Sequence, residues 1–119
     1  MTARIVLIED DPDIAALVAE MLTEAGHHIE VRSRLPEAAD PGAQLVITDL
    51  LAMRSYDLET ARAWIARVRA AFPEAALIVS TAHAPAAAAG AAALGADAVI
   101  AKPFDVTVFT GTVESLLVG

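Results

Sequence analysis

Ile5-Val6-Leu7-Ile8-Glu9-Asp10-Asp11-Pro12 joins an apolar run to three consecutive acids and a proline. An unbroken run of branched apolar residues reads as a strand buried on both faces. Pro12 suits the first turn of a helix, and Asp11 before it can accept that turn's free amide protons. The unit is therefore strand, acidic turn, helix. Two later runs also end in charge. Leu45-Val46-Ile47-Thr48 meets Asp49, and Ala98-Val99-Ile100-Ala101 meets Lys102, the chain's only lysine. In a parallel sheet these three strand ends share the carboxyl edge, where open α/β sheets form their ligand sites. Carboxylates gathered there with one ammonium suit a divalent cation and a phosphoryl group.

Outward from that stretch, strand-like and helix-like segments alternate five times, the pattern of a parallel sheet covered on both faces. Strands are expected at about 4–8, 28–32, 44–49, 76–81 and 97–101. The first helix has Ile14, Leu17, Val18, Met21, Leu22 and Ala25 on its inner stripe, and Gly26 stops it. Between Pro36 and Pro41-Gly42 there is room only for a short helix over 35–39. The next helix runs from about Asp57 to Ala71, with Leu58, Ala61, Ile65, Val68 and Phe72 inward, and Pro73 ends it. Another covers roughly 85–94, between Pro85 and Gly95. The final stretch, 105–118, is rich in β-branched residues and a poor helix former. Yet Phe109, Val113, Leu116 and Leu117 fall on one helical stripe, and the alternation requires a helix there.

With 119 residues and no linker, repeat or composition break, the chain is read as one domain over 1–119. It is 56% hydrophobic, with a mean hydropathy of +0.54, but alanine supplies much of both. The alanine-rich stretch 84–96 is too short to span a bilayer, and the first apolar run is too short for a signal peptide, so a cytoplasmic location is expected, with no membrane contact. With no cysteine, disulfides and thiolate chemistry are excluded. A net charge of −8 argues against nucleic-acid binding through this domain, because nothing offsets phosphate repulsion.

Ile8-Glu9-Asp10-Asp11-Pro12, Val46-Ile47-Thr48-Asp49, Thr81-Ala82-His83, Leu94-Gly95-Ala96-Asp97 and Lys102-Pro103-Phe104-Asp105 occur in this order. On a five-fold β/α alternation they resemble, over the whole chain, the receiver domain of two-component response regulators. The resemblance implies an α/β, flavodoxin-like, doubly wound five-stranded parallel sheet of order 2-1-3-4-5, here with a shortened second helix. It implies that Asp49 is the phosphoacceptor, and that Glu9, Asp10, Asp49 and the backbone carbonyl of Leu51 bind Mg2+. Lys102 would pair with the phosphoryl group, and the hydroxyl of Thr81 would contact it. Thr81 to Lys102 is one residue short of the family's usual spacing, which Ser80 would restore, and strand alternation lets only one of the two face the site. Asp11 reads as a helix cap, and His83 as a surface loop residue.

The implied function is that of a stand-alone phosphoacceptor in a phosphorelay. A histidine kinase or histidine phosphotransfer protein would donate the phosphoryl group, and a downstream protein would read the changed surface. Such a chain is a regulator, not an enzyme in the ordinary sense: it catalyses only its own phosphorylation and dephosphorylation. Two alternatives stay open, a receiver-fold scaffold whose output ignores phosphorylation and a receiver cut from a larger regulator. A phosphohydrolase would want an acid where Leu51 stands. A flavodoxin-like cofactor binder would want a phosphate-cradling loop where the acids stand. The sequence departs from the family pattern after Asp49, where the usual proline and glycine are missing. Val99 also replaces the usual aromatic three residues before the lysine.

Overall fold

A computed structural model describes residues 2–50 and 55–118. The order of elements is β1 (Arg4–Ile8), α1 (Pro12–Glu24), β2 (His28–Arg32), β3 (Leu45–Thr48), α2 (Leu58–Ala71), β4 (Ala76–Thr81), α3 (Ala84–Leu94), β5 (Ala98–Ala101) and α4 (Val106–Val118). All strand pairs are parallel, in the order β2-β1-β3-β4-β5. This is the α/β sheet that the alternation requires.

Each strand contributes to two cores, because successive side chains point to opposite faces. On one face, Val6, Val46, Leu77 and Val79 pack under Ala61, Ile65 and Val68 of α2 and Ala86 and Leu94 of α3. On the other, Ile5, Leu7, Ile47 and Ile78 pack under Ala15, Val18 and Leu22 of α1 and Phe109 and Val113 of α4. The expected stripe of α1 holds at Val18 and Leu22, but Leu17 and Ala25 stay exposed and Ala15 is buried instead. Leu58 likewise stays partly out of the core that Ala61, Ile65, Val68 and Phe72 enter.

The helix starts follow the sequence signals. Asp11 accepts from the amides of Asp13 and Ile14 at 2.9 and 3.3 Å, with Pro12 behind it. Asp57 caps α2 through the Thr60 amide at 2.9 Å. α4 forms despite its composition. Asp105 accepts from the Val108 amide at 3.1 Å, and Thr110 and Thr112 turn their hydroxyls back onto the carbonyls of Val106 and Val108. Those back-bonds satisfy the hydroxyls inside the helix, and the burial of Phe109 and Val113 does the rest.

The expected short helix over 35–39 is a correction: residues 33–44 run as bends and turns. Nucleating a helix fixes several dihedrals for one hydrogen bond, and the span between Pro36 and Pro41 is too short to repay that. Tertiary contacts hold the segment instead. Asp40 receives Arg4 Nη1 and Nη2 at 2.7 and 2.6 Å and the Gly42 amide at 3.0 Å, while its own amide donates to the Ala71 carbonyl at 2.7 Å. Arg4 also reaches Glu30 at 2.9 Å. The Arg4 guanidinium holds the Asp40 carboxyl down to about 2.

α3 is bent at Gly90, whose φ of 85° and ψ of 167° lie outside helical space. A residue with a Cβ is strained there, so glycine is what allows the bend. Among the described residues, no helix is long and apolar enough to cross a membrane.

Candidate functional site

The carboxyl ends of β1, β3 and β5 bring Glu9, Asp49 and Lys102 together. Lys102 Nζ donates to Glu9 Oε1 at 2.6 Å and contacts Asp49 Oδ2 at 3.2 Å. Glu9, Asp10 and Asp49 each offer a carboxylate oxygen, and these oxygens all lie within 4.8 Å of one another. The side chains of Glu9, Lys102 and Asp49 are 2, 9 and 19% exposed, whereas Asp10 is open to solvent. The cluster is therefore dry at the back and wet at the front. Leu51, expected to offer its carbonyl, lies outside the described residues.

Backbone contacts aim these groups. The Asp49 amide donates to the Ile8 carbonyl at 3.0 Å, which ties the end of β3 to β1. Asp49 Oδ1 accepts from the Leu50 amide at 2.7 Å, which leaves Oδ2 toward the lysine. Glu9 Oε2 accepts from the Asp11 amide at 3.2 Å. The Lys102 amide donates to the Thr81 carbonyl at 2.8 Å, so β4 and β5 leave the sheet together. Burial pushes the Glu9 carboxyl above its usual range, and the Lys102 hydrogen bond only partly pulls it back. Burial acts downward on the Lys102 ammonium, but the Glu9 hydrogen bond and the charges of Asp49 and Glu9 outweigh it and hold the group above its usual value.

Thr81 and Ser80 separate onto two faces. Thr81 follows Leu77 and Val79 on the α2–α3 side, and its Oγ1 accepts the His83 amide at 3.0 Å. Ser80 follows Ile78 on the α1–α4 side, the side of Ile47. The β3–β4 register pairs Thr48 with Val79, which carries Asp49 alongside Ser80. Ser80 Oγ is buried without a hydrogen-bond partner, the only such side-chain atom among the described residues. Thr81, the expected hydroxyl, stands at the end of β4; its Oγ1 accepts the His83 amide, which leaves its own proton free to donate. The signal for Ser80 was its distance in sequence from Lys102.

One contact had no sequence signal. Trp64, on α2, donates its indole N–H to Thr48 Oγ1 at 3.0 Å and to the Asp49 carbonyl at 3.1 Å. In the sequence it reads only as a large residue beside the buried stripe of α2.

Three carboxylates and no nitrogen or sulfur ligand form a hard-oxygen donor set, which fits Mg2+. Asp10 adds charge without a structural partner among the described residues. Asp10→Asn should therefore keep or raise the melting temperature in metal-free buffer, by relieving like-charge repulsion, and lose most of the stabilisation that Mg2+ gives the natural chain. Melting curves with and without Mg2+ check this; unfolding of Asp10→Asn would make Asp10 a structural residue.

No family model matches the chain, and no curated protein does. Solved structures do. A response regulator from Thermotoga maritima is 19% identical with a TM-score of 0.75, over 100% of both chains. The response regulator protein TrrA from the same organism, in complex with Mg2+ and BeF, is 26% identical with a TM-score of 0.72, over 97% of this chain and 99% of that one. The BeF3-activated DrrB receiver domain is 22% identical with a TM-score of 0.68, over 100% of both. The chain therefore has the fold of the receiver domains of response regulators.

Proposed function

We propose that the chain is the phosphoacceptor of a two-component phosphorelay, acting in the cytoplasm as one receiver unit over 1–119. The observation that carries this is Lys102 Nζ between Glu9 and Asp49, with the carboxylate of Asp10 beside them. The Mg2+ and BeF of the TrrA structure support it.

In this reading, a carboxylate oxygen of Asp49 attacks the phosphorus of a phosphohistidine on a histidine kinase or histidine phosphotransfer protein. The P–N bond breaks, its electron pair stays on the imidazole, and an acyl phosphate forms on Asp49. Glu9, Asp10, Asp49 and the Leu51 carbonyl would hold Mg2+. Bound there, the ion would neutralise phosphoryl oxygens that the carboxylates otherwise repel. Lys102 already leans on Asp49 and donates to a phosphoryl oxygen. The hydroxyl contact comes from the end of β4, where Thr81 accepts the His83 amide but keeps its own proton free, and where Ser80 Oγ has no hydrogen-bond partner among the described residues. Val99 packs against the α2–α3 core and has no ring to rotate, so the change reaches a downstream protein as a backbone shift at the start of α3.

The test is incubation with a small acyl phosphate donor, read by intact mass. One phosphoryl group is expected with Mg2+ and none after chelation. No uptake in Mg2+ would leave the phosphorylation-independent scaffold as the reading.

A further inference from the structure

We infer that Trp64 is a positioning residue for the acceptor: its indole N–H, together with the Thr48 hydroxyl, clamps the Asp49 carbonyl and so sets the direction of the Asp49 side chain. The inference rests on Asp49 being the acceptor.

Asp49 directly follows β3, where the ladder stops constraining the chain. Its amide is still tied to β1, through the Ile8 carbonyl at 3.0 Å. Among the described residues its carbonyl has no backbone partner. That carbonyl instead accepts from Thr48 Oγ1 at 2.7 Å and from Trp64 Nε1 at 3.1 Å. The indole also donates to Thr48 Oγ1 at 3.0 Å, which directs the threonine's own proton toward the carbonyl. The three groups form a closed triangle: two bonds end on the Asp49 carbonyl oxygen, and the third links their two donors. With both peptide groups of Asp49 fixed, its Cα–Cβ bond has one direction, and Oδ1 on the Leu50 amide fixes the carboxylate further.

The anchor is rigid. Trp64 sits on a helix held by Ala61, Ile65 and Val68 in the core, and its ring packs against that core. The Arg67 guanidinium lies over the ring, 5.4 Å from its centroid. Placement of a reacting group to within a fraction of an ångström is worth large factors in rate, so a residue that never touches the phosphoryl group can set the rate. A tryptophan chosen only for bulk needs no hydrogen bond from its N–H to the acceptor's own backbone.

The chain has one tryptophan, so a clean test exists. Growth of a tryptophan auxotroph on β-(3-benzothienyl)alanine replaces Trp64 alone with a ring of the same shape that lacks the N–H. Trp64→Phe is the genetic counterpart. Phosphoryl uptake from a small donor is measured at saturating Mg2+ and across a Mg2+ titration. About a tenfold fall in the maximal rate is expected in both proteins, with the Mg2+ concentration for half-maximal rate changed less than threefold. Their melting temperatures stay within a few degrees of the natural chain. A second readout is the single indole N–H resonance of the natural chain, which should shift when Asp49 is phosphorylated. Equal rates for the natural and benzothienyl chains would overturn the role of Trp64 while leaving Asp49 as acceptor. A fall caused only by weaker Mg2+ binding would overturn it too. A natural chain that takes up nothing would overturn the phosphoacceptor reading, and this inference with it.

Discussion

Asp49→Ala takes up no phosphoryl group in Mg2+ and donor, under conditions where the natural chain takes up one. The expectation is total loss rather than a slower rate, because the alanine has no oxygen to attack phosphorus. The neighbouring carboxylates do not substitute. Glu9 is buried, hydrogen-bonded to Lys102 and to the Asp11 amide, and has no open line of approach for a donor. Asp10 is exposed, and in Mg2+ its carboxylate would be engaged as a ligand of the ion rather than free to attack phosphorus. The fold should survive the change. The lost contacts are Oδ1 with the Leu50 amide and Oδ2 with Lys102, and the lost repulsion from Glu9 and Asp10 compensates in the opposite direction. Stability within about 1 kcal/mol of the natural chain is expected. Intact mass reads the first point and urea melts the second. Undiminished labelling of Asp49→Ala would move the acceptor elsewhere, and the assignment of this edge would go with it.

The sheet and the charged edge were legible because both rest on short-range patterns. Runs such as Ile5–Ile8 and Leu45–Thr48 have no helical reading, and each meets its charged residue at once. A parallel sheet then forces those charges to one side, with no need to know the register. The hydroxyl at that edge needed the register. Ser80 and Thr81 are adjacent, and only the pairing of Thr48 with Val79 shows which of them lies alongside Asp49. The segment from 33 to 44 failed for a different reason. Proline spacing correctly limited its helix, but whether any helix remained depended on Arg4, thirty-six residues from Asp40 in sequence. Trp64 was invisible for the same cause: its partners Thr48 and Asp49 are sixteen and fifteen residues away. Local propensity contains no term for such contacts, whereas the burial of Phe109 and Val113 was legible against propensity because the stripe itself is local.

Lys102→Met should lose about 3 kcal/mol of stability at pH 7 in metal-free buffer, and most of that deficit should vanish by pH 5. Methionine keeps most of the lysine's volume, so the loss is electrostatic. It leaves the Glu9 carboxylate, 2% exposed, with only the Asp11 amide, beside the negative charges of Asp10 and Asp49. An unpartnered buried charge of this kind costs about 3–5 kcal/mol. The sign with pH follows from the direction of the Glu9 shift. Its carboxyl is already raised by burial, and the lysine is what holds it down, so the variant raises it further. A carboxyl raised in the folded state binds more protons folded than unfolded between its ordinary value of 4.5 and its raised value. Stability in that window therefore increases as pH falls. The natural chain has the converse limb. Its lysine is raised above 10.5, so the contribution of the Glu9–Lys102 pair is complete below that value and disappears only as pH climbs through the raised one. Mg2+ should also restore part of the variant's deficit at pH 7, because a cation at the carboxylates replaces the missing charge. Urea denaturation of both proteins at pH 7 and pH 5, with and without Mg2+, reads all of this. A deficit that is the same at both pH values and indifferent to Mg2+ would mean that Lys102 acts through the packing of its stem, and the electrostatic reading of the cluster would fail.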